Sequence, residues 1–104
     1  MGRKQKIEDA LELARELFRK GRYAISSHAK LRQKQRSITT ADIENVVMRG
    51  RREKRKDEYK EEFDDWNYAF RGKTLDNDEA RIGIAFNERK SAIVVTVIRL
   101  GEDK

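Results

Sequence analysis

Apolar side chains recur at three- and four-residue intervals through Ile7, Ala10, Leu11, Ala14, Leu17 and Phe18, with Glu8, Asp9, Glu12, Arg15, Glu16 and Arg19 filling the positions between. That period predicts an amphipathic helix over about 6–20, placed to cover one side of a sheet. Its acids come early and its bases late, as the helix dipole favours, and Gly21 is positioned to end it in a left-handed turn. Residues 22–26 switch to alternation, with Tyr23 and Ile25 on one side, which predicts a short strand. Ser26 and Ser27 then supply cap residues for a second helix. A third helix is announced by the capping-box spacing of Thr39 and Asp42 and the staple spacing of Ile38 and Ile43. Ile43, Val46 and Val47 form its buried stripe and Gly50 its end.

The second half alternates. Trp66, Tyr68 and Phe70 are interleaved with Asn67, Ala69 and Arg71, and Ile82, Ile84 and Phe86 form a similar run. Between these two strands, residues 72–79 read as a polar connection around Asp76, Asn77 and Asp78. The run AIVVTVIRL at 92–100 is apolar on both faces, the pattern of a central strand. Residues 51–65 stay open between an edge strand, which the Tyr59 and Phe63 spacing favours, and a charged loop. Helices that precede strands in this order predict one α+β domain spanning 1–104, its N-terminal helices packed on a twisted, mainly antiparallel sheet of four to five strands. Residues 1–5 and 101–104 are expected to be flexible tails.

Composition changes this picture in one respect. Charged residues make up 42% of the chain against 37% hydrophobic, so the core is enclosed in an unusually charged shell. The net charge of +6 is uneven: residues 1–50 hold all of the basic excess, and from Lys20 to Arg36 there is no acid. Such a patch attracts polyanions through counterion release, and nucleic acid is the expected polyanion; a solvated charged face is the plainer alternative. With no cysteine and one histidine, thiolate chemistry is excluded, and no metal or other cofactor is expected. No apolar run approaches a membrane span and no export signal is evident, so the expected location is the cytoplasm, away from membranes.

The basic patch contains one chemically specific arrangement. In SSHAKLRQKQR at 26–36, His28 is followed at four-residue steps by Arg32 and Arg36, which places a titratable ring and two guanidinium groups along one helix face. Histidine can move protons near neutrality, and arginine presents a fork of donors matched to phosphate oxygens. The expected roles are His28 as general base or acid and Arg32 with Arg36 as phosphate stabilisers. Tyr68, or a substrate-held water, is the expected complementary proton carrier. Lys30, Lys34 and Arg71 are candidate phosphate contacts, and Trp66 or Tyr68 a base-stacking surface. Each has a plainer reading: His28 can simply cap the following helix or hydrogen-bond a backbone carbonyl, the arginines can pair with Asp42, Glu44 or the acids of 57–65, the alternating aromatics can be core, and Thr96 can serve only as a β-former. A further reading assigns the high charge to surface ion-pair networks of thermal adaptation.

The block SSHAKLRQKQRSITTADIENVVMRG, followed by AFRGKTL, ARIGIAFN and AIVVTVIRL, resembles a small bacterial domain family with an HA-x-x-R-x-x-x-R-x-I-(S/T) signature, often encoded beside candidate antitoxins. That family is similar to the barnase, colicin and RelE-like superfamily of ribonuclease toxins, which includes the motility-regulator toxins. The resemblance implies a helices-then-sheet fold with a metal-independent RNA-cleaving site on the concave sheet face. His28, Arg32 and Arg36 match its motif. The expected function is therefore a toxin-type endoribonuclease acting on single-stranded or ribosome-bound message and neutralised by a cognate antitoxin protein. The alternative is a non-catalytic module that holds nucleic acid or protein on the same basic surface.

Overall fold

The computed structural model describes residues 4–101; of the expected tails, 1–3 and 102–104 lie outside the described residues. The chain forms α1 (Ala10–Arg19), β1 (Tyr23–Ile25), α2 (Ser27–Arg36), α3 (Thr40–Arg49), β2 (Arg51–Arg52), a 3-10 turn (Lys54–Lys56), β3 (Glu58–Lys60), β4 (Asp65–Lys73), β5 (Glu79–Asn87) and β6 (Ser91–Arg99). This is the α+β arrangement that the pattern predicts. The sheet has six strands rather than four or five, because the ambiguous charged segment contributes two short edge strands. Its order is β1-β6-β5-β4-β2, with β3 also on β4. All pairings are antiparallel except β1 with β6.

α1 begins later than its apolar period suggests, since Glu8 and Asp9 form a turn and the Ile7 amide is drawn to the sheet by the Tyr68 hydroxyl, 2.8 Å away. It ends in a Schellman arrangement: the Arg22 and Gly21 amides donate to Leu17 and Phe18 carbonyls, and Gly21 takes φ +70°. α3 starts with the full capping box of Thr39 and Asp42, and the stapling pair Ile38 and Ile43 is buried. Arg15 serves the other end of α3, donating to the Val47 and Gly50 carbonyls at 2.8 and 2.9 Å. Gly50 is needed here, because a Cβ would sit 2.4 Å from the Arg71 and Val46 carbonyl oxygens. α3 and β4 can approach closely only without it.

α1 and α3 bury Leu13, Leu17, Phe18, Ile43, Val46 and Val47 against Phe70, Ile82, Ile84, Val94 and Val97 of the sheet. α2 behaves differently. It buries only Ala29 and runs along the edge of β6, continuing the line of β1. The Ser26 amide donates to the Val94 carbonyl, Arg36 Nη1 reaches the Val97 carbonyl at 3.3 Å, and Arg99 donates to the Arg36 and Ser37 carbonyls, each at 3.0 Å. The helix thus covers backbone acceptors that an unpaired strand edge would expose.

The 92–100 run is an interior strand, between β1 and β5, while β5 takes the middle of the sheet. On the opposite side, the fully buried Asp57 carboxylate holds the charged edge in place. It accepts from the Ala69 amide at 2.9 Å and lies 3.1 Å from both Arg52 and Lys6. Edge strand and charged turn are both present in 51–65, joined where Asp57 substitutes for a strand partner. No described helix is long and apolar enough to cross a membrane.

Candidate functional site

Strand alternation sends Asn67, Ala69 and Arg71 of β4 and Arg81, Gly83 and Ala85 of β5 to the sheet face opposite α1 and α3. β6 joins them through a bulge. Gly83 pairs with Thr96 whereas Ile84 pairs with Val94, leaving Val95 as the extra residue. Val94 and Val97 stay buried on the core side, so Val95 and Thr96 turn together to the open face. A Cβ on Gly83 would lie 2.7 Å from that of Thr96. The glycine therefore makes the hollow over which Thr96 sits.

Three cavities meet at Thr96. One, of about 220 Å³, is lined by His28, Arg32, Arg36 and Thr96 with Val97 and Ile98. A second, of about 560 Å³, extends from His28 across Ala85, Ile93 and Val95 to Lys60, Glu62 and Phe63 at the β3–β4 hairpin tip. The third, of about 170 Å³, continues over Gly83 and Ala69 to Arg81, Lys56 and Glu58. Together they form a groove across the open sheet face, walled by α2 on one side and by β3 and the 3-10 turn on the other.

The α2 wall carries the motif histidine and arginines. Ser26 caps the helix by accepting from the Ala29 amide at 3.1 Å, which puts the exposed His28 in the first turn. No side-chain partner holds the His28 ring among the described residues. Arg32 donates to Gln35 at 2.8 Å and Arg36 to the Val97 carbonyl, and neither meets a carboxylate among the described residues. Asp42 and Glu44, two of the acids available to neutralise them, are committed elsewhere. Asp42 accepts from the Thr39 and Leu75 amides at 2.9 and 2.8 Å, and Glu44 from the Tyr23 hydroxyl at 2.5 Å. Burial alone would raise the Asp42 carboxyl, but the Thr39 and Leu75 amides outweigh it and hold it below the usual aspartate value.

The other candidates fare differently. Arg71 is on the groove face, but it is paired with Glu79 at 2.7 Å and with Glu53 at 3.5 Å. Glu53 also takes Arg81 at 2.6 Å, and that hydrogen bond is the largest influence holding its carboxyl below the usual glutamate value. Arg71 is thus an internal ion-pair member, not an open phosphate contact. Lys30 and Lys34 share a separate, outward surface with Leu31, Gln33 and Ile38, because their helical positions point away from His28 and Arg32.

Tyr68 requires a correction. Its side chain is 2% exposed in the helix-side core, packed on Phe86 at 5.5 Å, and its hydroxyl accepts from the Ile7 amide. Burial raises its pKa, and the ring lies on the opposite sheet face from His28. It cannot serve as the proton carrier of this groove. Trp66 shares that face by alternation: Lys6 lies 4.6 Å over its ring, Tyr59 meets it edge-on, and its Nε1 donates to the Lys4 carbonyl at 2.7 Å. It is a packing residue at the core's edge.

Phe63, Glu58 and Gly83 also line the groove, although none is a site candidate from sequence. Phe63 had a visible signal, a lone aromatic inside an acidic run, but its spacing to Tyr59 suggested a strand. Glu58 and Gly83 gave none, because their importance comes from partners across the sheet. Chemically, the groove can take an anion at Arg32 and Arg36 beside a group able to give or accept a proton. Among the described residues no cluster of three His, Cys, Asp or Glu side chains is arranged to hold a metal ion.

Residues 25–99 match the model of a protein family described as a domain of unknown function (DUF4258), which includes α2, α3 and every strand that floors the groove. No curated protein and no solved structure matches the chain.

Proposed function

The chain belongs to the DUF4258 family, and from the groove that its fold builds we propose that it is a metal-independent endoribonuclease acting on single-stranded or ribosome-bound RNA. The observation that carries this reading is the α2 wall: Arg32 and Arg36 line the same cavity as His28 and have no acidic partner among the described residues. Two unneutralised guanidinium groups beside an imidazole suit a phosphodiester. The resemblance to RelE-like and barnase-like toxins supports the same chemistry, and with it a cytoplasmic setting and an antitoxin that covers the groove.

In this mechanism the 2′-oxygen of the substrate attacks the adjacent phosphorus as its proton passes to a base. Arg32 and Arg36 stabilise the negative charge that accumulates on the phosphoryl oxygens. The P–O5′ bond breaks as an acid protonates the leaving oxygen, giving a 2′,3′-cyclic phosphate and a 5′-hydroxyl. His28 fills one proton-transfer role. With Tyr68 removed by its burial, the other falls to Glu58, which faces the groove from β3, or to a substrate-held water.

An unanchored His28 ring is the one observation that favours a non-catalytic binding module instead. One experiment separates the two: incubation of purified protein with labelled single-stranded RNA in EDTA, free and on translating ribosomes, beside His28→Ala. Cyclic-phosphate ends that disappear in the variant establish the nuclease. RNA bound through Arg32 and Arg36 but never cleaved establishes the binding module.

A further inference from the structure

The wall opposite α2 is built in a way that phosphate binding does not explain. The β3–β4 hairpin turns through 61–64, with the Phe63 and Asp64 amides donating to the Lys60 and Glu61 carbonyls. Tyr59 ties the turn by donating its hydroxyl to the Asp64 carboxylate, and Asp64 takes the left-handed conformation at φ 51°. The result presents Phe63 to solvent at 77% exposure, the most exposed of the large hydrophobic side chains. Phe63 lines the 560 Å³ cavity, whose floor combines the apolar Ala85, Ile93 and Val95 with the polar Asn67 and Thr96, and which His28 also lines. That volume is within the range of small-molecule sites.

The hairpin tip is acidic. Glu62 lines the cavity next to Phe63 and has no side-chain partner among the described residues. Lys60 of the same cavity is paired with Glu58 at 3.1 Å, so the carboxylates of the tip disfavour a phosphate there, whereas Arg32 and Arg36 attract one on the other wall. A nucleotide crossing the groove is therefore oriented with its phosphate toward α2 and its base toward the hairpin. A base face stacks on an exposed aromatic ring, and a carboxylate accepts from an exocyclic amine but repels a carbonyl oxygen.

We propose that the cavity between His28 and Phe63 is a nucleobase subsite that stacks the base on Phe63 and selects an exocyclic amino group through Glu62, favouring cytosine or adenine over uracil. This deepens the endoribonuclease reading and rests on it.

The test is fluorescence anisotropy with uncleavable 2′-O-methyl hexanucleotides of cytidine, adenosine and uridine. Wild type is compared with Phe63→Ala, Phe63→Trp, Glu62→Ala and Arg32→Ala, each checked for native circular dichroism. The subsite predicts that wild type binds the cytidine and adenosine oligomers about tenfold more tightly than the uridine oligomer. Phe63→Ala weakens all three by about tenfold, and Phe63→Trp restores binding. Glu62→Ala removes the difference between bases while raising affinity overall, since it deletes a negative charge. Binding that depends on Arg32 but is unchanged by Phe63→Ala, or a base preference unchanged by Glu62→Ala, overturns the subsite and leaves the RNA reading standing. Failure of wild type to bind any of the three overturns the subsite and the free single-stranded RNA reading, and cleavage on translating ribosomes decides the ribosome-bound one.

Discussion

The two sides of the groove are equally rich in arginine and differ in what answers the charge. On the sheet side, Arg71 and Arg81 meet Glu53 and Glu79 at distances down to 2.6 Å. On the α2 side, Arg32 and Arg36 meet only an amide oxygen and a backbone carbonyl among the described residues. Paired guanidinium groups are structural: they join β2, β4 and β5, and an incoming anion would have to displace a carboxylate. Unpaired ones keep their charge available. Counting basic residues therefore overstates the sheet side and locates the open positive charge only once pairing is known.

The comparison breaks most visibly at His28. If the α2 wall is the working one, His28→Ala lowers RNA cleavage by at least about a hundredfold while leaving the thermal midpoint unchanged, because the ring has no structural partner. Cleavage assays beside thermal denaturation check both halves. Arg32→Ala is expected to weaken RNA binding by about tenfold or more, the worth of a charge-assisted hydrogen bond. Arg36→Ala should do the same and also cost about 1 kcal/mol of stability, because it uncovers the Val97 carbonyl. Titration by anisotropy and urea unfolding separate the two effects.

Glu53→Gln sharpens the comparison from the other side. It should cost about 2 kcal/mol, between the surface and fully buried limits for an ion pair, and it frees Arg81 to act like the α2 arginines, while Arg71 keeps Glu79 at 2.7 Å. RNA affinity at low salt should rise, with a steeper salt dependence. The same group sets an acid limit. Its carboxyl is held below the ordinary glutamate value of 4.5, first by the Arg81 hydrogen bond. A depressed folded value means that the stabilisation is complete above the unfolded value and is lost as pH falls through the folded one. Unfolding midpoints of wild type and Glu53→Gln should therefore converge in acid, below the glutamate range, and diverge at neutrality. The smallest effect is expected from Lys30→Ala and Lys34→Ala, which should change RNA binding by less than about threefold, the modest screened effect of surface charges outside the groove.

Much of the fold was legible because its signals are local. The Thr39 and Asp42 capping box, the Gly21 stop and the alternation in 66–71 and 82–86 each occupy a few consecutive residues, and all are present. The site was legible in part. Helical spacing put His28, Arg32 and Arg36 on one face, and one cavity does contain all three. Tyr68 shows the limit of such reasoning. Alternation groups it with Trp66 and Phe70, but only the helices packed on the sheet decide that this group faces inward.

What the sequence by itself determined is the set of elements outside 51–65, their order and the concentration of positive charge in the first half, since periodicity and composition depend on neighbours along the chain. Only the tertiary structure decided which charges remain open. Glu53 and Arg81 are far apart in sequence and 2.6 Å apart in space, and α2 lies along an edge where its arginines find no acid among the described residues. It also decided that a single extra residue at Val95 turns Thr96 into the hollow above Gly83. Neutralisation and concavity arise from pairs of distant residues, and no local pattern specifies those pairs.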